Sequence, residues 1–434
     1  MLKRCCSLIL LFLLVLTITS AEGDLNKHDK PYAGTTVRIS LNTPADAVRD
    51  AYNDWISDLK KQVLDETGII VEVEMEAWRD YLNKHLMSIA SGEGSDIIQM
   101  GSGVPPVIAA TGGLVDLTEH MDLFGGYEVY VDAGHHYMTY DDQIIAIPWG
   151  GGGREMYYNK KIYDDANLEY PVEGWTYDDF LDDVKTLTEY MGQPAYVLPG
   201  SGNDSGNYFW STIVTNGGEI VDEDGNVLFN NEIGVDAVRK VLDLYDNGYL
   251  RASFVESTMD DAVVAFINQE VALGYGTASW WMQIEDSPIG SNYGTVTHPV
   301  GTANLTVGVV TLSEFGIMKY TKNLDASLIV LSYLAGPESI IRANNILGWI
   351  PFRSDLMQDE SFSQNAPSET FKKVVAESKM WLPQHAKVSM MQSTTTACLK
   401  KIYTDYINGY NMTDEEILSR LNGLAEEIAN AIKN

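Results

Sequence analysis

A run of four glycines beside paired aromatic residues is the first candidate site, in "IPWGGGGREMYYNK", Ile147–Lys160. A glycine run that cradles phosphate continues into Gly-Lys-Ser/Thr or follows G-x-G-x-x-G spacing, and neither pattern can be placed here. Glycine also takes φ of either sign and lets a ligand approach the backbone closely. We therefore interpret the run as a pliant wall of a binding cleft. Trp149, Tyr157 and Tyr158 beside it either face that cleft or pack in a core.

A second candidate is the pair Trp280-Trp281 in "GYGTASWWMQI". Neighbouring side chains on a helix diverge by about 100°, so both indoles cannot face the core. We expect one ring to pack beneath a cleft and the other to face into it. With nine tryptophans and 24 tyrosines, the chain has many flat apolar surfaces on which a sugar could stack.

Metal binding and catalysis find little support in the sequence. His135 and His136 are adjacent and point apart on any regular element, which favours a structural role over a metal site. The acidic stretch "EIVDEDGNVLFN", Glu219–Asn230, lacks the spacing of a calcium loop. No G-x-S-x-G or H-E-x-x-H motif occurs. A glycoside hydrolase needs two catalytic carboxylates, but with 61 acidic residues in the chain the presence of such a pair is not informative. We predict no catalysis, no cofactor and no metal.

Net charge and the N-terminus bear on partners and location. The formal charge of −32 argues against a nucleic-acid partner and favours a soluble monomer. Residues 1–21 predict a cleaved signal peptide, with an uncleaved anchor as the alternative. Cys5 and Cys6 precede the apolar run, so we expect no lipid anchor and a mature chain that begins at Glu22. Cys398 is then the one remaining cysteine, and we expect it to be a small buried residue.

Strands and helices alternate along the mature chain. After a polar leader, 22–33, the patterns predict a strand at Thr36–Leu41, a helix at Asp46–Thr67 stopped by Gly68, and a strand at Ile69–Glu76. Further predicted elements are a helix at Trp78–Ala90, a strand at Asp96–Met100, a hairpin at Glu219–Asn230 turning at Asp224-Gly225, and helices at Val235–Asn247, Met259–Gln269 and Glu415–Lys433. This alternation predicts βαβ units and the α/β class.

Seven short motifs occur in the order found in one known family. They are "LMSIASGEGSDIIQM" (Leu86–Met100), "GLVDLT" (Gly113–Thr118), "DQIIAIPW" (Asp142–Trp149), "YNK" followed by "GWTYDDF" (Tyr158–Lys160, Gly174–Phe180), Asn216–Gly218, Ala262–Gly276 and "GWIPFR" (Gly348–Arg353). In this order the chain resembles the family 1 extracellular solute-binding proteins of ABC importers, which include maltose-binding protein. Gln143 departs from the family's usual glycine.

The resemblance implies a two-lobed periplasmic-binding-protein fold of type II, in which crossover strands join discontinuous lobes that close around ligand. The N-terminal lobe is expected at 34–147 and 308–347, and the C-terminal lobe at 148–307 and 348–434. The implied partners are a sugar or small oligosaccharide and the membrane permease subunits of an importer. A non-sugar solute (a polyamine or organophosphate) and a secreted glycoside hydrolase remain the alternatives, and a role as ligand sensor for a receptor would look the same.

The resemblance also suggests ligand-binding positions. They are Trp280, Trp281, Trp149, Trp210, Tyr208, Trp78, Ser102, Arg154, Trp349 and Arg353. Of the adjacent pair we favour Trp280 for the cleft, because it matches the family's sugar-stacking tryptophan best. Charged sugar contacts of maltose-binding protein fall here on Met100–Gly103 and Gly152, so maltose specificity does not transfer. Arg154 could bind a uronate or phosphate, although we favour an ion pair with a neighbouring carboxylate.

Overall fold

The computed structural model describes residues 30–78, 81–222, 225–305, 308–359, 366–378 and 382–433. The predicted signal peptide and its two cysteines lie outside these residues. The strands are β1 (Thr36–Asn42), β2 (Ile70–Glu76), β3 (Ile97–Gly101), β4 (Thr139–Tyr140), β5 (Gln143–Ile144), β6 (Ile147–Gly152), β7 (Arg154–Asn159), β8 (Tyr196–Val197), β9 (Leu273–Thr277), β10 (Tyr293–Val296) and β11 (Thr311–Ile317).

The α-helices differ widely in length. They are α1 (Arg49–Thr67), α2 (Tyr81–Ser91), α3 (Pro105–Ala109), α4 (Asp132–Met138), α5 (Lys160–Asp165), α6 (Tyr177–Met191), α7 (Asp204–Thr215), α8 (Glu232–Asp246), α9 (Met259–Ile267), α10 (Trp280–Glu285), α11 (Leu324–Leu334), α12 (Pro337–Leu347), α13 (Ser354–Met357), α14 (Ala366–Glu377), α15 (Val388–Ile407) and α16 (Asp414–Lys433). No single helix in the described ranges is long and apolar enough to cross a membrane; α11 and α12 reach that length only as a pair bent by 58°.

The first lobe is built on a five-stranded sheet in the order β2-β1-β3-β11-β6. β1 pairs in parallel with β2 and β3, whereas β11 runs antiparallel between β3 and β6. Helix α1 ends as predicted at Gly68, whose φ of 82° is a left-handed conformation that glycine takes at little cost. Its apolar stripe, which includes Tyr52 and Trp55, packs into the core of this lobe.

The second lobe is built on a four-stranded sheet in the order β10-β7-β9-β8. Its long helices start with polar caps: Thr176 and Asp179 form a reciprocal capping box on α6, and Thr258 and Asp261 form another on α9. Helices α7, α8, α15 and α16 contact one another beside this sheet. The amphipathic C-terminal helix predicted at Glu415–Lys433 is α16.

The predicted hairpin at Glu219–Asn230 is much shorter than its alternating pattern suggested. Its described residues form one isolated antiparallel bridge, between Val221 and Val227. Asp222 Oδ1 accepts a hydrogen bond from the Asn226 backbone N–H at 2.8 Å, so the aspartate closes the turn on its own chain. Asp224, the first residue of the predicted turn, is outside the described ranges.

The chain passes directly from one sheet to the other. β6 ends at Gly152 and β7 begins at Arg154, so a single residue, Gly153, links the two sheets. The chain returns to the first lobe before β11. It crosses again after α12, at the third crossover, where Ile350 pairs with Gly151 through two backbone hydrogen bonds of 3.0 and 2.7 Å. The molecule is therefore an α/β protein of two lobes joined by crossover segments, as predicted. The finer lobe boundaries stay predictions.

Candidate ligand-binding cleft

Two sheet edges meet where the chain crosses between the lobes. The first-lobe edge comprises Asn42, Glu76–Trp78, Gly101–Gly103, Thr311 and Gly152, because β1, β2, β3 and β6 end there and β11 begins there. The second-lobe edge comprises Arg154, Leu198–Asp204, Thr277–Ser279 and Val296–His298, by the register of β7 with its neighbours. Ligands of open α/β sheets bind beyond the carboxyl ends of strands. These facing edges are therefore the candidate cleft.

The four glycines of the run lie between the two edges and are all buried. None of them has a positive φ, so a left-handed backbone conformation does not account for the run. Space explains them instead. A Cβ on Gly150 would lie 1.7 Å from Asn344 Oδ1, one on Gly151 2.3 Å from the Thr311 carbonyl oxygen, and those on Gly152 and Gly153 2.7 and 2.8 Å from Ala278 and Val374 side chains. The protein's own atoms, rather than a ligand, approach this backbone.

Trp78 is the exposed aromatic ring of the first-lobe edge. Its residue is 41% exposed and closely follows β2. The ring lies against Gly101, where a Cβ would come within 3.0 Å of Trp78 Cζ3. It also meets the ring of Tyr81 edge-on, with centroids 5.7 Å apart. Because Tyr81 is held by a 3.1 Å hydrogen bond from the Gly101 N–H to its hydroxyl, the Trp78 platform rests on a fixed support.

The adjacent tryptophans of the second lobe diverge as expected, but their directions differ from our preference. Trp280 is 1% exposed, and its ring packs on Gly276 and, at 5.2 Å between centroids, on Tyr157. Trp281 is half-buried, with Nε1 close to Gly348 at the third crossover. In this conformation the ring with an accessible face is Trp281, although the assignment of a ligand contact to either ring stays a prediction.

The other predicted aromatic positions lie mainly in the two cores. Trp149 is fully buried in the first lobe, where its Nε1 donates a 3.2 Å hydrogen bond to the Leu334 carbonyl oxygen. Trp210 and Tyr208 on α7 are 1% and 2% exposed in the second lobe. Trp349 is half-buried and lies edge-on to Trp149. Trp149, Trp210 and Tyr208 therefore offer no open face to a ligand here.

Arg154 forms an ion pair with Asp204, the first residue of α7. Arg154 Nε lies 2.6 Å from Asp204 Oδ1, and the two side chains are 17% and 14% exposed. A longer contact of 3.4 Å joins Arg154 Nη1 to the Thr311 hydroxyl on the opposite edge. Burial acts to lower the pKa of Arg154, but the attraction of Asp204 outweighs it and the pKa is raised.

Ser102 and Arg353 also have protein partners. The Ser102 hydroxyl accepts a 2.7 Å hydrogen bond from the Leu312 N–H and donates one of 3.2 Å to the Leu312 carbonyl oxygen, so it extends the pairing of β3 with β11. The Arg353 guanidinium donates to both Asp355 carboxylate oxygens, at 3.1 and 2.8 Å, and is 6% exposed. It supports the third crossover rather than opening to the cleft edges.

Two buried carboxylates were not singled out from the sequence. Burial raises the pKa of both Glu155 and Glu314 well above the usual range. Glu155 Oε2 accepts a 2.7 Å hydrogen bond from the His298 N–H. Within the described part of the chain, neither oxygen of Glu314 has a hydrogen-bond partner, and the group lies close enough to influence Tyr81 and Tyr137. A glutamate inside the apolar strand "TLSEFGI" was the available signal.

Hydroxyl and amide side chains line the packing of α7 against α15 behind the second-lobe edge. The hydroxyls of Ser205 and Thr396 are buried and have no hydrogen-bond partner in the described ranges. Nearby, Gln392 Nε2 lies 3.5 Å from Asn207 Oδ1. Helix α15 also reaches the first lobe, since the Ser389 hydroxyl donates a 3.2 Å hydrogen bond to the Gly103 carbonyl oxygen. The Ser389–Gly103 hydrogen bond thus joins the two lobes, whereas the other polar groups lie within the second lobe.

The adjacent histidines serve different partners. His135 stacks on Tyr127 with centroids 4.0 Å apart and has Nε2 2.9 Å from the Tyr127 carbonyl oxygen. His136 Nε2 lies 2.8 Å from the Leu382 carbonyl oxygen. This is the structural role predicted for them. Across the described residues, no group of three or more His, Cys, Asp or Glu side chains is arranged to hold a metal ion.

Solved structures with the same architecture cover nearly the whole chain. The GacH receptor of Streptomyces glaucescens, studied unliganded and with acarbose, superposes with a TM-score of 0.79 at 18% identity, covering 92% of this chain and 99% of that one. Maltose-bound T. maritima MalE3 superposes with a TM-score of 0.77 at 17% identity, covering 92% and 100%. At such low identity these similarities establish the two-lobed fold.

Sequence relatives identify the family. The diacetylchitobiose binding protein DasA of Streptomyces coelicolor is 27% identical over 224 residues, which span half of this chain and half of DasA. A family model described as bacterial extracellular solute-binding protein matches residues 54–370, which is more than half of the chain. The resemblance carried by the ordered motifs is thereby confirmed, and the chain belongs to the bacterial extracellular solute-binding proteins.

Proposed function

We propose that this protein captures a sugar or small oligosaccharide outside the cytoplasmic membrane and delivers it to the permease subunits of an ABC importer. The observation that carries the proposal is the exposed Trp78 ring, supported by Gly101 and Tyr81 at the ends of the first-lobe strands. A pyranose presents an apolar face to such a ring and directs its hydroxyls to the sides. The opposite edge supplies polar groups for those hydroxyls.

The polar side of the cleft fits a ligand rich in hydroxyls. Ser201, Thr277 and Ser279 on the second-lobe edge are half-buried and keep part of their surface accessible, and their hydroxyls can both donate and accept hydrogen bonds. Asn203 on the same edge adds an exposed amide group. A binding site that combines an apolar platform with a few placed polar groups is the usual form of a small-ligand site.

The names of similar proteins support a carbohydrate. DasA is named for diacetylchitobiose, MalE3 is described with maltose bound, and GacH with acarbose. These ligands share pyranose rings but differ in linkage and substituents. They therefore support the class of ligand, a short saccharide, and leave the particular sugar to experiment.

Capture would occur by closure of the lobes, without chemistry on the ligand. A ligand that contacts both edges favours the closed arrangement, because it binds that arrangement more tightly than the open one. The contact of Ser389 with Gly103 and that of Arg154 with Thr311 are the kind that such a rotation would make or break. We further propose lobe boundaries at 34–147 with 308–347 and at 148–307 with 348–434, a mature N-terminus at Glu22, and a monomer.

A thermal-shift screen tests the ligand class. Purified mature protein is heated with diacetylchitobiose, maltose, cellobiose, xylobiose and their trimers, beside spermidine and glycerol phosphate. A bound saccharide must raise the melting temperature, because it binds the native state alone, and X-ray scattering with the same sugar should show a smaller radius of gyration. Stabilisation by spermidine or glycerol phosphate, with none by any sugar, would contradict the proposal.

A further inference from the structure

The charge on the two facing edges bears on whether the cleft binds neutral or anionic saccharides. Among the described residues of the first-lobe and second-lobe edges, Arg154 is the one side chain with a fixed positive charge. His298 is buried, and burial lowers its pKa to about 3, so it is neutral at physiological pH. Among these residues, the full positive charge that could balance a carboxylate, sulfate or phosphate of a ligand is therefore that of Arg154.

Arg154 is already engaged by a carboxylate of its own lobe. Asp204 lies 2.6 Å from Nε and is itself 14% exposed. The remaining polar contact of the guanidinium, to the Thr311 hydroxyl at 3.4 Å, involves Nη1. An anionic ligand would have to approach Asp204 closely or displace it, and like charges at short range in a partly buried site oppose binding.

We infer that Asp204 is a specificity-determining residue that neutralises Arg154, so that the cleft takes uncharged saccharides and rejects those bearing carboxylate, sulfate or phosphate groups. This rests on the proposed function. Asp204 balances the charge of the Arg154 guanidinium, whose N–H groups can still donate hydrogen bonds to ligand hydroxyls. Asp204 acts here through Arg154, by setting the net charge of the pair.

The test replaces Asp204 and compares matched ligands. Affinities are measured by calorimetry for galactose with galacturonate and glucose with glucuronate, as monomers and short oligomers, and for sulfate as a simple anion. Wild-type protein should bind the neutral member of a pair at least about tenfold more tightly. Asp204→Asn keeps the size of the side chain and frees Arg154, so its affinity for the acidic member and for sulfate should rise about tenfold.

Two controls isolate the cleft. In Arg154→Gln/Asp204→Asn the gain should disappear, because the freed cation is gone. Asp414→Asn breaks a surface pair with Arg239 that has a similar distance of 2.7 Å, and it should behave as wild type. The inference is overturned if wild type binds the acidic member as tightly as the neutral one, or if folded Asp204→Asn gains no affinity for sulfate. If no saccharide binds wild type, the proposed function fails, and the sulfate comparison still decides the role of Asp204.

Discussion

Trp78 and Trp280 lie on opposite edges of one cleft, and each indole rests on a glycine, yet their surroundings differ. Trp78 is 41% exposed, whereas Trp280 is 1% exposed. On the first lobe, Gly101 lets the ring lie against the rim and leaves its outer face open. On the second lobe, Gly276 lets the ring sink into the core beside Tyr157. A tryptophan packed on a glycine is thus an exposed surface ring on the first lobe and a buried core residue on the second.

What covers the second face of each ring decides its role. The Trp280 ring is enclosed by the strand beneath it and by aromatic neighbours that include Phe266, so its burial stabilises the lobe. Trp78 and Tyr81 meet edge-on, and 41% of Trp78 remains exposed. Substitutions at the two sites should therefore affect different measurements.

The largest effect is expected for Trp280→Ala. Removal of a fully enclosed indole leaves a cavity, which should lower the free energy of unfolding of the unliganded protein by about 3–5 kcal/mol. Urea unfolding followed by circular dichroism measures this loss, with the half-buried Trp281→Ala as the matched control. Retained stability together with weaker sugar binding would show that Trp280 faces the ligand in solution. Trp280 and Trp78 would then not differ in the way described above.

The supporting glycines give a second, smaller test. In Gly276→Ala the new Cβ would lie 2.5 Å from atoms of the confined Trp280 ring, so we expect a loss of about 1–3 kcal/mol in stability. In Gly101→Ala the contact is 3.0 Å, to the outer ring of Trp78, which can move outward. That variant should keep its melting temperature within error and lose sugar affinity. Equal melting temperatures for both variants would contradict this difference.

Trp78→Ala tests the platform directly. A ring that stacks on a ligand contributes roughly 1–3 kcal/mol, so sugar affinity should fall about ten- to hundredfold. The apo melting temperature should change much less than in Trp280→Ala, because Trp78 is 41% exposed and Trp280 only 1%. Titration calorimetry with the sugar found in the screen gives the affinity. If the affinity is unchanged, Trp78 does not stack on the sugar. Trp281 and Trp349 then become the candidates, because they are half-buried and keep part of their surface accessible.

The buried carboxylates should make the stability of the two lobes depend on pH. Burial raises the folded-state pKa of Glu314 above its ordinary 4.5, so the folded state favours the protonated form. The stability this contributes is fully present below the ordinary pKa and is lost as pH rises above it towards the raised value. Relative to Glu314→Gln, wild type should lose about 1.4 kcal/mol per pH unit in that window.

Urea unfolding at several values between about pH 5 and pH 8 measures this slope. Glu155→Gln is the companion variant. Glu155 accepts a hydrogen bond from the His298 N–H, which favours its ionised form, so the pH window over which it lowers stability should be narrower than that of Glu314. Identical pH profiles for wild type and Glu314→Gln would show that the carboxyl titrates near its ordinary pKa in the folded protein.

Local signals in the sequence were enough for many elements. The periodicity of Asp46–Thr67 and the following glycine predicted α1 and its end, and the alternation in "IIVEVEME" predicted β2. The order of seven motifs predicted the family and therefore the two lobes. Such features depend on residues close together in the chain, or on an order that is visible without coordinates.

Features that depend on remote contacts were not predictable in the same way. The glycine run is explained by Thr311, Asn344 and Val374, which lie far along the sequence and could not be placed beside it. Whether Trp280 or Trp281 points into the core depends on which face of α10 the second lobe covers. The glutamate within the apolar pattern around Glu314 was a weak signal, because a charged residue within a strand is ordinary unless both faces of that strand are known to be buried.

The position of β11 has a consequence for the order of events during synthesis. This strand lies between β3 and β6, and Gln99 donates a hydrogen bond to Ser313 across 214 residues of chain. A growing polypeptide therefore cannot complete its first sheet until residues near Ile317 have emerged, since β3 and β6 have no direct pairing. Contacts so distant in sequence slow folding.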